Sequence, residues 1–484
     1  MAEIQSSSEK PPLKSPLPDK YLPGVPYRDL PEPVPLKKVV GTSVIILATA
    51  LGSGELVLWP FITTQMGLVL LWGAAFGFTL QFFLNMEIER YTLATGESAV
   101  TGFTRLWKPW GIVFVAGGII PNAWPGWSTG AAQITTFVMG GGNVVLISIV
   151  GLLIIGTVLT ISPVVYQTVE KIQTLFVSLV LIFIVIAVFR ATTASAWGEL
   201  FTSLGEIDQI PDLPSSISIA ALLGALAYAG AGGAANLVQS NYIRDKGLGM
   251  GVHLPRIVSP ITGQEEAAPS LGYMFPETEE NMRRWRGWWK LANREQFVTF
   301  YALGLLSLVA LSVLTYSTVG TTPIAEQPNM DFIRAEGHAL QDTVAPWFGM
   351  FFWIAGIFIL FSTNLGILDY TSRLAADSLK VSFLRDSVFW SESKLYFVVI
   401  WSMIIAGSII LLSGINQPLV LLVIAASLSG VLMFLYSILL IQLNRRVLPH
   451  SIKLCGFRLV MMVISVLFFG FFSLLLLMEQ VGNL

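Results

Sequence analysis

The sequence is poor in the residues that build soluble catalytic and metal centres. Of 484 residues one is cysteine, so this chain cannot form an internal disulfide or a cysteine-based metal site. The three histidines, His253, His338 and His450, fall in polar connecting stretches. A Gly-rich loop followed by Lys-Ser or Lys-Thr, which would bind ATP phosphates, is also missing. We therefore predict no enzymatic activity and no bound cofactor.

Charge is scarce as well. Charged residues make up 12% of the chain, about half the share in soluble globular proteins, while 54% are hydrophobic and the mean hydropathy is +0.71. This composition indicates that the lipid bilayer is the main partner of the chain. The net charge of −2 favours no nucleic-acid partner. Residues 1–38 are rich in Pro, Lys and Ser and lack an apolar core, which predicts a disordered cytosolic tail.

Eleven stretches are apolar over about 20 residues, the length that crosses a bilayer as a helix. They lie near residues 39–62, 68–88, 110–137, 143–163, 170–189, 217–242, 297–318, 346–371, 393–413, 417–443 and 456–479. The predicted fold class is an all-α integral membrane protein with about eleven transmembrane helices.

The distribution of Lys and Arg predicts the orientation of these spans. With the N-terminus inside, 26 of the 28 basic residues fall on the cytosolic side, and Arg190 and Arg334 remain outside. We therefore expect a multi-pass protein of the plasma membrane with a cytosolic N-terminus and an external C-terminus. The face carrying the basic residues is called the predicted cytosolic face below.

The spans group into two halves, 39–189 and 217–443, followed by an extra span at 456–479. The second half contains a polar cytosolic insertion, residues 243–296, with a cluster of Trp and Arg at 283–290. Such a cluster is suited to the headgroup layer, and we favour an interfacial anchor over lipid-specific recognition.

Span one carries Gly52, Ser53, Gly54 and Glu55 near its middle. Because glycines weaken a helix, the backbone there can unwind and turn carbonyl groups toward a cavity. An ionised carboxylate is costly in hydrocarbon, so Glu55 should face water, a cation or a partner. The alternative is a protonated Glu55 that is hydrogen-bonded to a neighbouring helix.

Span six carries a matching irregularity, with Gly230, Gly232 and Gly233 between Tyr228 and Asn236. Close helix packing is one interpretation of these small residues. Spans one and six, however, open the two halves, and interrupted helices in corresponding positions predict a binding site at the membrane midplane.

Other polar residues within spans are weaker candidates for the same site. Asn122 and Gln133 in span three, and Thr363 and Asn364 in span eight, could supply neutral oxygens, although each could equally bond two helices together. Near the cytosolic end of span eight, Asp369 and Arg373 are spaced to form a helix-surface ion pair or a gate latch.

The motif at 52–55, together with the stretches 67–72, 93–97 and 223–225, resembles the Nramp family of divalent metal transporters over residues 40–480. The resemblance implies a LeuT-like fold of five-plus-five inverted repeats plus one helix. It also implies alternating access to a metal site between spans one and six.

The sequence departs from the family at the metal ligands. The family's Asp-Pro-Gly-Asn overlays 52–55, which places Gly52 at the Asp and Glu55 at the Asn. Its Met-Pro-His falls at 228–230, or at 233–235 if the loop is shifted, and no sulfur ligand remains there. One carboxylate with hydroxyl, amide and carbonyl oxygens suits a hard cation such as Mg²⁺.

The leading hypothesis is therefore alternating-access transport of a divalent cation, with Glu55 as the only charged metal ligand. The alternatives are a transporter of a small organic solute such as an amino acid, and a receptor-like homologue that no longer transports.

Overall fold

The computed structural model describes residues 17–162, 164–205, 217–258, 271–321 and 330–482, and within them the chain is almost entirely helical. Extended pairing in this part of the chain is limited to two isolated bridges, Tyr27 with Met274 and Val164 with Val258. The predicted all-α class is confirmed.

Each predicted span coincides with one helix or with consecutive helices. In chain order, spans one to eleven are Thr42–Met66, Leu71–Thr95, Trp110–Asn122 with Gly126–Met139, Val144–Ile161, Val165–Ala191, Ile219–Ala227 with Ala234–Lys246, Gln296–Ala302 with Leu303–Thr318, Pro346–Ser382, Glu392–Leu412, Pro418–Arg446 and Gly456–Gly482. The remaining described helices are Leu36–Val39, Ala99–Leu106, Ala194–Gly205, Gly249–His253, Glu279–Glu295 and Asp331–Thr343.

Eight of the described helices are long and apolar enough to cross a membrane by themselves, and spans two, three and six are not among them. Spans three and six are each divided into two shorter helices. Span two is 25 residues long, but Gln81, Asn85 and Glu87 interrupt its apolar run. The three exceptions therefore mark positions where polar groups or irregular backbone enter the bundle.

Burial shows which spans lie at the centre. The apolar window of span one is 100% buried in protein, whereas those of spans four and eleven are 28% and 22% buried. Because lipid solvates an apolar surface as well as other side chains do, spans four and eleven can line the periphery. Span one is surrounded by protein and is positioned to hold a central site.

The N-terminal segment differs from the sequence prediction. Residues 17–34 are packed against the cytosolic insertion, and Leu17, Leu22 and Leu30 are buried. The backbone amide of Leu30 donates to Asn281 Oδ1 at 3.0 Å, and Trp288 Nε1 donates to the carbonyl of Pro31 at 2.8 Å. Composition alone predicted disorder because it does not show these long-range partners. Residues 1–16 lie outside the described part of the chain.

Two tryptophans and two arginines of the Trp/Arg cluster form contacts inside the protein. Trp285 and Trp288 are 4% and 2% exposed, and Arg283 and Arg284 form ion pairs with Glu32 of the N-terminal segment. The prediction of an interfacial anchor is therefore wrong for Trp285 and Trp288, whereas Arg286 and Lys290 of the same cluster are exposed.

Arg105 joins the N-terminal segment to the short helix Ala99–Leu106. Its guanidinium is bonded to Glu97 at 2.5 Å and donates to the carbonyls of Pro18 and Pro23 at 3.0 and 2.7 Å. Burial by itself raises the pKa of the Glu97 carboxyl. The charge of Arg105, with hydrogen bonds from Arg105, Tyr91 and the Gly272 amide, outweighs burial and holds the pKa below its usual value.

We predict that Arg105→Gln releases the N-terminal segment. Removing one partner of a buried ion pair costs about 3–5 kcal/mol, because the other charge is left without compensation. Limited trypsin digestion followed by mass spectrometry should show faster cleavage after Lys20 and Arg28. Arg385→Gln, at an exposed arginine, is the control, and equal cleavage rates in the two variants would contradict the assignment.

Candidate functional site

Span one is distorted near its middle but is not unwound. Residues Leu51–Leu58 form a π-helix between two α-helical parts. A π-helical turn leaves backbone carbonyls without their usual amide partners. Thr363 of span eight meets this need, since its Oγ1 donates to the carbonyl of Ala48 at 3.0 Å. The expectation of an unwound backbone is therefore wrong for span one.

The two glycines of span one permit close packing. A Cβ at Gly52 would lie 2.0 Å from Thr363 Oγ1, and a Cβ at Gly54 would lie 1.6 Å from the carbonyl oxygen of Tyr228. Both distances are far below van der Waals contact. Gly54 therefore lets span one touch the backbone of span six.

Span six is broken between Ala227 and Ala234. Gly230, Gly232 and Gly233 have φ angles of 109°, 57° and 59°. Residues other than glycine rarely adopt such positive φ angles. The structure thus shows the interruption that the glycine pattern predicts.

Gln81 of span two bridges this break. Its Nε2 donates to the carbonyls of Ala227 and Ala229, both at 2.7 Å, and its Oε1 accepts from the Gly232 amide at 3.0 Å. One side chain thus forms hydrogen bonds with three backbone groups whose helical hydrogen bonds are missing at the break. Sequence reasoning missed Gln81, although a glutamine within an apolar run was an available signal.

Glu55 lies beside the contact between the two irregular segments. Its neighbour Gly54 faces the backbone of Tyr228 in span six, and Leu56 packs near Gly356 of span eight. Glu55 itself is fully buried. Within the described residues neither carboxylate oxygen of Glu55 has a hydrogen-bond partner.

Tyr228 and Trp127 bring aromatic rings to the same region. The Tyr228 hydroxyl lies 3.1 Å from Ser429 Oγ of span ten. The ring of Trp127, at the start of the second part of span three, lies 6.0 Å from the Tyr228 ring. The indole N–H of Trp127 is buried and has no hydrogen-bond partner in the described part of the protein. Two unsatisfied polar groups, on Glu55 and Trp127, therefore flank the broken segment.

Asn236 is held by the scaffold. Its Nδ2 donates to Asn85 Oδ1 at 2.6 Å, and its Oδ1 accepts from the Tyr436 hydroxyl at 3.3 Å. These bonds join spans two, six and ten one turn beyond the break. The structure therefore gives Asn236 a role in helix–helix bonding.

The four secondary candidates, Asn122, Gln133, Thr363 and Asn364, and the candidate Ser53 have different surroundings. Asn122 donates to the Gly118 carbonyl at 2.8 Å and accepts from Tyr370, so it bonds spans three and eight. Asn364 lines a small cavity of about 70 Å³ between spans three, four and eight. Gln133 is partly buried on the second part of span three, and Ser53 contributes backbone to the π-helix. Thr363 is the secondary candidate bonded to span one.

Beyond Asn236, toward the predicted cytosolic face, buried charges form an inner network. Asp369 accepts from Arg373 at 2.8 Å and from the hydroxyls of Tyr242 and Tyr396 at 2.8 and 2.5 Å. Arg373 also pairs with Asp245. The predicted pair of Asp369 and Arg373 is therefore part of a larger arrangement.

Arg244 extends the inner network from span six to spans eight and nine. It binds Asp377 at 2.6 Å and Glu392 at 2.5 Å, and its side chain is 1% exposed. Nearby, Lys246 pairs with Glu170 of span five at 2.5 Å. These ion pairs connect spans five, six, eight and nine between the candidate site and the predicted cytosolic face.

The described residues contain no group of three or more His, Cys, Asp or Glu side chains that could hold a metal ion. Glu55 is the one acidic residue of the two irregular segments, residues 51–58 and 228–233.

We predict that Gly54→Ala destabilises the protein by about 1–3 kcal/mol or more, because the added methyl group would overlap the Tyr228 carbonyl. Thermal unfolding in detergent, followed by size-exclusion chromatography, measures the effect. The matched control is Gly198→Ala, where an added Cβ meets open space. Equal unfolding temperatures for the two variants would show that spans one and six do not touch here.

Comparison with solved structures finds the same fold in proteins described as transporters. Two variants of the Eremococcus coleocola manganese transporter align with a TM-score of 0.66 at 13% and 12% identity, over 93% of this chain and 87% of theirs. A nucleobase-cation-symport-1 family transporter with bromovinylhydantoin bound aligns with a TM-score of 0.52 at 14% identity, over 96% of this chain and 94% of that one.

No protein-family model and no curated protein matches the sequence. At such identities the likeness to solved structures establishes the fold alone. The chain is a multi-pass membrane protein with the LeuT-like fold that the resemblance implied.

Proposed function

We propose that this chain is a membrane transporter that carries a cation by alternating access through a site beside Glu55. The observation that carries the proposal is the unpartnered carboxylate, fully buried where the π-helix of span one meets the break of span six. An isolated charge in a protein interior is strongly unfavourable unless a counter-charge accompanies it. A bound cation supplies that counter-charge.

The ligands near Glu55 favour a hard cation. The Tyr228 carbonyl oxygen lies against Gly54, the residue before Glu55, and the Tyr228 hydroxyl is beside Ser429 of span ten, so the polar groups of the break are oxygens. Sulfur ligands are absent from both irregular segments, residues 51–58 and 228–233. Mg²⁺ accepts one or two carboxylates and retains several waters, so the proposed substrate is a hard divalent cation such as Mg²⁺.

Alternating access requires a path that opens on one side at a time. The inner network is closed in this structure, since Arg244 and Arg373 bind acids on spans six, eight and nine. Release toward the cytosol would separate these spans, and the two halves, 39–189 and 217–443, would move relative to each other. We place the protein in the plasma membrane with its N-terminus in the cytosol and its C-terminus outside.

A second candidate is transport of a small organic solute. It is favoured by the indole N–H of Trp127, which has no hydrogen-bond partner among the described residues, and by the Tyr228 ring, whose centroid lies 6.0 Å from that of Trp127. An aromatic pair with a free donor can stack on and orient a polar solute, with Glu55 binding an amine.

We predict that Glu55→Gln lowers Mg²⁺ flux into proteoliposomes at least about tenfold, because a charge-assisted contact contributes about 1.5–3 kcal/mol. A magnesium-sensitive dye inside the vesicles gives the rate. Glu336→Gln is the control, since Glu336 is also buried but lies in the helix Asp331–Thr343, outside the two irregular segments, and accepts from Thr315 at 3.0 Å. Flux that is the same in both variants, or absent from the wild type, would contradict cation transport at Glu55.

Trp127→Phe separates the two substrates. It retains the aromatic ring but removes the N–H group, so Mg²⁺ flux should remain within about twofold of wild type, because no cation ligand is lost. A strong loss of amino-acid or nucleobase uptake in this variant, in vesicles without Mg²⁺ flux, would support the organic-solute candidate instead.

A further inference from the structure

A groove at the predicted cytosolic face is lined by aromatic and basic side chains that the transport site does not use. Its volume is about 520 Å³, and it lies between span two, the helix Glu279–Glu295 with the start of span seven, and the start of span eleven. Four phenylalanines form its apolar wall: Phe82, Phe83, Phe297 and Phe457.

The aromatic wall is continuous and partly uncovered. The Phe82 ring lies 5.4 Å from Phe83 and 6.2 Å from Phe297, and Phe83 lies 5.7 Å from Phe457. Phe297 and Phe457 are 50% and 69% exposed. A surface of this kind at a membrane boundary fits the upper part of a lipid acyl chain.

The other side of the groove is basic. Lys290, Arg294 and Arg458 line it, and no carboxylate lies among its lining residues. In the described part of the chain neither Lys290 nor Arg294 forms an ion pair. Both are exposed on the groove side of the helix. Their charges are therefore available to a ligand.

Arg458 is fixed in position but incompletely neutralised. Its Nη2 donates to Asn293 Oδ1, and its guanidinium lies over the Trp289 ring at 4.8 Å. Its Nη1 is buried without a hydrogen-bond partner, and the nearest carboxylate oxygen, on Glu87, is 3.9 Å away. Glu87 is already bonded to Arg90 at 2.7 Å. Arg458 thus shares Glu87 with Arg90, and its side chain, 22% exposed, adds positive charge to the groove.

We propose that this groove binds one anionic phospholipid of the cytosolic leaflet. The phosphate contacts Lys290, Arg294 and Arg458, and an acyl chain lies along the phenylalanine wall. Charge complementarity favours this occupant, because the cytosolic leaflet is rich in anionic lipids and each nearby Lys or Arg adds to their attraction. The site holds together span two, span seven and span eleven and does not depend on which substrate is transported.

The test is native mass spectrometry of the full chain in detergent with added dioleoyl phosphatidylglycerol or dioleoyl phosphatidylcholine. The wild type should retain one phosphatidylglycerol that phosphatidylcholine does not replace. The triple variant Lys290→Gln, Arg294→Gln, Arg458→Gln should bind it at least about tenfold more weakly, since each basic residue contributes about a factor of five near an anionic surface.

The control removes the same charge elsewhere on the same face, by Lys108→Gln, Lys171→Gln and Arg385→Gln at exposed positions. It should bind phosphatidylglycerol as the wild type does, and both triple variants should elute as single species with wild-type unfolding temperatures in phosphatidylcholine. Equal weakening by the two triple variants would overturn the proposal, because attraction would then be general to the face.

Two further measurements separate the headgroup from the chain. Phe297→Ala and a short-chain phosphatidylglycerol should each weaken binding, because the acyl contact is reduced. Inorganic phosphate at the same concentration should not displace the long-chain lipid. Displacement by phosphate would identify a free-anion site, and equal retention of phosphatidylcholine would reduce the groove to an apolar surface.

Discussion

The contact between Gly54 and the carbonyl of Tyr228 is the constraint on which the centre of this protein depends. It brings the backbone of span one against the broken part of span six. Any side chain at position 54 would prevent this close approach. The break must therefore remain ordered without its helical hydrogen bonds. Gln81 provides this order by bonding two carbonyls and one amide of the break. Glu55 owes its position to this arrangement, because it follows Gly54 in the same π-helix.

Glycine has different roles in spans one and six, and this difference explains why the sequence predicted the backbone of span six but not that of span one. In span six the glycines were correctly interpreted as a break, since positive φ angles at Gly230, Gly232 and Gly233 require them. In span one Gly52 and Gly54 serve close packing, and the helix continues as a π-helix. A glycine in the sequence does not show whether it serves close packing against a neighbouring helix or a backbone turn with positive φ.

Long-range partners account for most of what the sequence did not predict. The N-terminal segment has a disordered composition, but Arg105 and Asn281 bind its backbone from positions far along the chain. The same limit applied to Gln81, whose acceptors are about 150 residues away, and to the inner network of Arg244. By contrast, the spans and the all-helical fold follow from local composition and were predictable.

The inner network adds an electrostatic argument about the substrate. It contains two guanidinium groups, on Arg244 and Arg373, and four carboxyl groups, on Asp245, Asp369, Asp377 and Glu392. With all four carboxyls ionised, its formal charge is −2. A cation leaving Glu55 toward the predicted cytosolic face would therefore approach a region of negative potential, whereas a free carboxylate would be repelled from it. The charge of the inner network is therefore consistent with the cation proposed above.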